Sequence, residues 1–158
     1  MNDHTIDPLR SALEARGLAI TDHHLYDDDP TSPYVGPRFR IRNCEMIYSW
    51  GMHGDLLLIL YRRLEKTVSV RNPFADLIWF LGLATRPEFG VRRVLGYISI
   101  FDHHAENGLS RERLIRFYQQ FFSAEWIQYD GDRWLYRDIE PLRARLAQVR
   151  HLATQLPV

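Results

Sequence analysis

The chain has 158 residues, 46% of them hydrophobic, which is enough for one domain with a real core that hides roughly 70% of the surface of the unfolded form. Its 20 basic and 20 acidic residues cancel to a formal charge of zero, so no global field draws it onto nucleic acid or an anionic membrane, and a nucleic-acid role would need a local patch. One cysteine, Cys44, excludes an internal disulfide framework and a cysteine zinc cluster and fits a reduced, cytoplasmic setting.

At the N-terminus, Met1 to Pro8 carries acids where a secretory signal has basic residues, and no apolar stretch follows, so no export signal is expected. Asp7-Pro8 reads as an N-cap carboxylate followed by proline at the first helical position. With Leu9, Leu13 and Leu18 on one stripe and Gly17 ending the turn, a short amphipathic helix is predicted. From Thr21 to Pro37 the composition turns to Asp, His, Pro and Ser around Asp27-Asp28-Asp29-Pro30, which predicts an exposed loop over 21–37. Arg38 to Cys44 and Glu45 to Ser49 alternate polar and apolar and read as strands, and Gly51 to Asp55 supplies a turn. Leu56 to Leu64 is a nearly continuous apolar run suited to a central strand buried on both faces. Neither this run nor Leu77 to Leu83 approaches the ~20 residues of a membrane helix.

Asn72-Pro73 repeats the helix-start chemistry, with Phe74, Leu77, Ile78, Leu81 and Leu83 forming an apolar face and Arg86-Pro87 the stop. Val94 to Phe101 reads as an inner strand in which Gly96 signals a bulge or a close backbone approach. Ser110 and Arg113 bracket the next helix start, with Leu114, Ile115, Phe117, Tyr118, Phe121 and Phe122 on its buried side. Trp126 to Tyr129, Asp130-Gly131 and Trp134 to Tyr136 give a hairpin, because Asp-Gly accepts the positive φ of a tight turn. From Glu140, the spacing of Leu142, Leu146 and Val149 predicts a C-terminal helix over 140–158. The elements together describe one α/β (α+β) domain spanning 1–158, with a mixed, mostly antiparallel sheet flanked by helices.

Arg71-Asn72-Pro73-Phe74-Ala75, the strand residues Gly96-Tyr97-Ile98, and Leu109-Ser110 followed by Arg113-Leu114 and Phe117-Tyr118 resemble the LcrR family of type III secretion (low-calcium-response) regulators. The resemblance covers about a third of the chain well. It implies a cytoplasmic regulator acting on secretion proteins or their chaperones, and it brings no catalytic residues. The element order is also that of the second half of the GNAT acyltransferase fold, which would make acyl-CoA a cofactor. In that fold the loop before the central helix cradles a pyrophosphate through backbone N–H groups and needs glycines. Here the loop runs Ser69 to Phe74 without glycine, and Pro73 removes a donor. Arg71 and Asn72 remain the residues that would face such a phosphate, and Tyr118 the one that would protonate a thiolate. A capped helix start with a surface arginine, and a tyrosine in the core, are the preferred readings.

Asp22-His23-His24 and Asp102-His103-His104 with Glu106 carry metal-ligand types, the second at the end of an inner strand. Neighbouring strand residues point to opposite faces, so solvated histidines are the first expectation. Cys44, His53 and Asp55 form a nucleophile set only on paper, since no spacing selects them. Asp27-Asp28-Asp29 lacks the spaced ligands of a calcium loop. Arg62-Arg63, Arg92-Arg93, Arg111, Arg113 and Arg116 could form a basic face, but Glu65, Glu88 and Glu112 nearby favour an ordinary solvated one, and nucleic acid is not the expected partner. Trp50, Trp79, Trp126 and Trp134 exceed what the core needs, which predicts an aromatic surface patch for a protein partner.

Overall fold

The computed structural model describes residues 7–26, 29–42, 44–64, 74–98 and 111–149. Helix α1 (Pro8–Ala15) leads into strands β1 (Ile20–His24), β2 (Tyr34–Ile41), β3 (Cys44–Trp50) and β4 (Asp55–Arg63). Helix α2 (Ala75–Ala84) and strand β5 (Arg93–Tyr97) follow, then helix α3 (Arg111–Arg116), continued by a π-helical segment, Phe117–Phe121. The hairpin β6 (Glu125–Tyr129) and β7 (Asp132–Asp138) precedes helix α4 (Ile139–Val149). The seven strands form one sheet in the order β1-β2-β3-β4-β5-β7-β6. Every neighbouring pair is antiparallel except β4 and β5, which are joined through α2 and run parallel.

The local chemistry explains most boundaries. Asp7 caps α1 by accepting the Arg10 N–H at 3.2 Å, and Pro8 occupies the first turn. At the β6–β7 hairpin, Asp130 (φ 52°) and Gly131 (φ 86°) both take the positive φ that the tight turn demands. Helix α2 begins later than the Asn72-Pro73 signal predicts: Phe74 is its N-cap residue and gives no side-chain cap. Asn72 and Pro73 lie outside the described residues.

The expected loop over 21–37 is a correction. Thr21 to His24 belong to β1 and Tyr34 to Pro37 to β2, paired through Thr21↔Arg38, Asp22↔Pro37 and His23↔Gly36. Polar residues suffice because β1 is an edge strand whose backbone pairing does not require an apolar side chain at every position. Gly36 is essential to the arrangement, since a Cβ there would run into the Tyr48 carbonyl of β3.

Helices α1, α2 and α4 and the π-helical segment bury side chains in one core on one face of the sheet, with Leu114 and Ile115 of α3 partly buried against it. Leu9 and Leu13 of α1, Leu77 and Leu81 of α2, Phe117 and Tyr118, and Leu142 and Leu146 of α4 join Phe39, Met46, Tyr48, Leu56 and Leu58 from the strands. Each leucine removed from water in this way contributes about 1.5–3 kcal/mol before entropy is counted. Leu142, Leu146 and Val149 are buried as their spacing predicts. The opposite face carries most of the charged side chains of β2 to β5, including two buried carboxylates, while Arg63 pairs with Cys44 on the core face. Glu45 receives Arg38 Nε at 2.7 Å and Arg62 Nε at 2.8 Å, and Asp55 receives Arg93 Nε at 2.8 Å and Nη2 at 3.2 Å.

Candidate functional site

The parallel pairing of β4 with β5 runs from Asp55↔Arg93 to Leu58↔Gly96, while β4 itself continues to Arg63. On the core face of that continuation a stack of rings begins. Tyr61 of β4 lies on Phe74, with centroids 6.4 Å apart, and Phe74 lies on Phe117 at 3.9 Å with planes 10° apart. Phe117 in turn stacks on Phe121 at 4.9 Å, and the Arg145 guanidinium of α4 sits 4.4 Å over the Phe121 ring. The π-helical segment supplies the middle of this stack. Such insertions widen a helix by one residue and recur at functional sites. At the outer end the surface is concave, with a volume of about 340 Å³, and is lined by Phe74, Phe117, Phe121, Arg113, Arg116 and Arg145 together with Gln120.

At the inner end of the stack is a buried polar cluster. The Tyr61 hydroxyl lies 3.3 Å from Cys44 Sγ, and both residues are buried. Burial pushes the Cys44 thiol up to about 12, so at neutral pH it is a thiol and not a thiolate nucleophile. Burial likewise raises the Tyr61 phenol. Asp76, in the first turn of α2, is only 7% exposed, and its Oδ1 has no hydrogen-bond partner among the described residues. Arg42 Nε approaches it no closer than 3.9 Å. Burial raises the Asp76 carboxyl, against the opposing pull of Cys44 and Arg42. Asp76 escaped the sequence reading, although a carboxylate directly before the apolar run Leu77-Ile78 was the available signal.

The family profile described as "Type III secretion system regulator (LcrR)" matches residues 6–138. The chain belongs to the LcrR family. No curated protein matches the sequence significantly.

In this LcrR-family chain Tyr118 is a core residue. It is 6% exposed, burial raises its phenol, and its ring covers Gly96 so closely that a Cβ there would lie 2.8 Å from Cε2. The close approach signalled by Gly96 is therefore the approach of Tyr118. Arg71 and Asn72 lie outside the described residues, as do Asp102, His103, His104 and Glu106. Among the described residues no group of three His, Cys, Asp or Glu side chains is placed to hold a metal ion. His24 Nδ1 lies 3.1 Å from the Ser32 carbonyl, with its ring edge-on to Tyr34, so that ring is already part of the hairpin.

Cys44, His53 and Asp55 do not converge. Cys44 pairs in register with Arg63, at the far end of β4 from Asp55, so roughly 27 Å of strand separates them at about 3.4 Å per residue. Asp29 is engaged locally, with Oδ1 accepting the Thr31 N–H at 2.9 Å, and Asp27 and Asp28 lie outside the described residues. Arg62 and Arg93 are committed to Glu45 and Asp55. The four tryptophans correct the expected surface patch: Trp134 is buried, and Trp50, Trp79 and Trp126 pack partly buried against the core. The large exposed aromatics among the described residues are instead Tyr26 and Tyr34, near Leu25 at the β1–β2 connection. No helix among the described residues of this LcrR-family protein is long and apolar enough to cross a membrane.

Proposed function

We propose that the protein regulates type III secretion from the bacterial cytoplasm by binding other components of the system, either secretion proteins or their chaperones. The match of the LcrR profile over residues 6–138 carries this reading, since it supports the regulator class directly. The side-chain arrangement agrees with a binding role. Cys44 is held as a buried thiol and Tyr118 is sealed into the core, whereas the arginine and phenylalanine surface around Arg116 and Arg145 is open. Affinity capture from a host that carries the secretion system, with the bound proteins identified by mass, tests the reading. Enrichment of secretion proteins or chaperones over a control bait is the expected result, and recovery of none of them overturns it.

An acyl-CoA-dependent acyltransferase is the second reading, and sheet topology is what favours it. The order of strands, with one parallel pair whose ladder ends at Leu58↔Gly96 while β4 runs on, follows the element order of GNAT enzymes. The burial of Tyr118 under the core weighs against it, because a proton donor must reach the departing thiolate. Thermal melting in rising acetyl-CoA distinguishes the two. A ligand at 100 times its dissociation constant adds about 2.7 kcal/mol to the native state. Melting curves that stay flat up to millimolar cofactor dispose of the acyl-CoA reading.

A further inference from the structure

We propose that the open edge of β1 is a homodimer interface, on which a second copy of this chain lays its own β1 antiparallel about a twofold axis through His23. The proposal concerns assembly and stands whether or not the regulator reading does. β1 ends the sheet, and among the described residues no strand pairs with its outer side. The backbone shows which of its groups face that side. Leu25 donates its N–H to the Pro33 carbonyl at 2.8 Å, so Leu25 turns its hydrogen-bonding groups toward β2. The register shift at His23/His24 puts the extra residue, Val35, in β2, because His23 meets Gly36 and His24 meets Tyr34. β1 itself therefore alternates without a break, and Ile20, Asp22 and His24 point their N–H and C=O groups outward. The Ile20 carbonyl agrees with this direction, since it accepts Arg10 Nη2 at 3.5 Å. Asp22 and His24 are left to receive another strand.

Those two residues select the register. Pairing Asp22 with the second copy's Asp22 would set like charges opposite each other and would need the Ile20 carbonyl that Arg10 holds. Pairing Asp22 with the second copy's His24 avoids both. By symmetry His24 then meets the second copy's Asp22, and each pair exchanges both of its N–H···O=C bonds. Each carboxylate, bound to Arg10 at 2.6 Å and still 53% exposed, is set against an imidazole. In the same register Thr21 covers the second copy's Leu25, which is 56% exposed in the single chain. The exposed large hydrophobics among the described residues are Leu25, Tyr26, Tyr34 and Met52, and the first three lie at the β1–β2 connection beside this edge. The other edge strand, β6, has none of them. Its exposed residues are Glu125 and Gln128, its Trp126 lies under the Arg133 guanidinium at 4.2 Å, and its Tyr129 hydroxyl accepts the Met52 N–H at 3.3 Å. β1 also lacks the lysine or proline by which solitary edges avoid pairing. An edge that complements itself in this way closes into a twofold dimer.

Sedimentation equilibrium of the full chain over a wide concentration range is expected to show monomer and dimer in balance. A chain that stays monomeric throughout overturns the proposal and leaves the edge to a strand from another protein. Disulfide trapping reads the register, because Cys44, the single native cysteine, is buried. His23→Cys places two thiols across the axis at a non-hydrogen-bonded pair, where Cα atoms approach to about 4.5 Å, within disulfide reach. It should cross-link far faster than Gln128→Cys on the β6 edge, and equal rates overturn the proposal. If His23→Cys fails to fold, a mixture of Thr21→Cys and Leu25→Cys chains reads the same register, with the mixed disulfide forming faster than either symmetric one. Charge supplies an independent reading. His24→Lys and His24→Asp lose the same contact with the Ser32 carbonyl, but lysine attracts the second copy's Asp22 and aspartate repels it. The dimer dissociation constant of His24→Asp should exceed that of His24→Lys by about tenfold, since the twofold axis counts the pair twice. Equal constants overturn the interface.

Discussion

Gly96 and Tyr118 show how one small residue sets the packing of a large one. With the Tyr118 ring resting where a Cβ would project, at 2.8 Å from Cε2 and 2.9 Å from Cζ, Gly96→Ala must displace the ring or the strand. We expect it to destabilise the fold by about 1–3 kcal/mol, the usual cost of overpacking. Adding Tyr118→Leu should recover part of that loss, and denaturant unfolding of the double-mutant cycle measures the coupling. Asp76 gives a pH signature. Its carboxyl is raised by burial, so the native state binds that proton before the unfolded chain does. Its contribution is therefore present at low pH and lost as pH rises through the folded pKa. Asp76→Asn, which copies the neutral acid, should melt higher than wild type toward pH 8 and lose that advantage toward about pH 4. A difference that is constant across this range would assign the change to packing alone. Glu45 has the opposite sign: burial would raise it, but Arg38 and Arg62 hold it below the usual carboxylate range, so its stabilisation disappears only in acid.

At the level of elements, Asp7 does more than begin a helix. Besides the Arg10 N–H, its carboxylate accepts the Tyr48 hydroxyl at 2.9 Å and the Trp50 indole N–H at 3.2 Å, fixing α1 to β3. Asp7→Ala should thus cost about 2–3 kcal/mol, since it removes a cap and leaves the buried Tyr48 hydroxyl without that acceptor. Asp7→Asn should recover much of it, which thermal or denaturant unfolding can check. The cap itself was legible in Asp7-Pro8, as were the Asp130-Gly131 turn and the face of α4, because each depends on residues a few positions apart. Strand β1 was not legible. Its residues gain order from pairing with β2, and nothing in Thr21 to His24 alone records that partner. Helix α2 misled in another way: the proline signal at Asn72-Pro73 is local, whereas the observed start at Ala75 follows Phe74, whose ring is tied into the stack with Tyr61 and Phe117. The Cys44, Tyr61 and Asp76 cluster was invisible for a similar reason, since it gathers side chains from two strands and a helix.

Across the whole molecule, one sheet divides two kinds of chemistry. The face under the helices is apolar and holds the ring stack, whereas the other carries paired arginines and carboxylates. The groove at the end of the stack joins the N-cap of α2, α3 with its π-helical continuation, and α4, so a ligand there would touch several elements packed around the same core. Cys44 lies at the other end, beside Tyr61, and it is the single cysteine of the chain. The protein thus contains its own stopwatch. A disulfide reagent at neutral pH should modify Cys44 only during rare openings of the core, and the modification should become immediate in denaturant. If the groove is coupled to the core through the stacked rings, its occupant will slow that clock, and a labelling time course on the unmodified chain will record it.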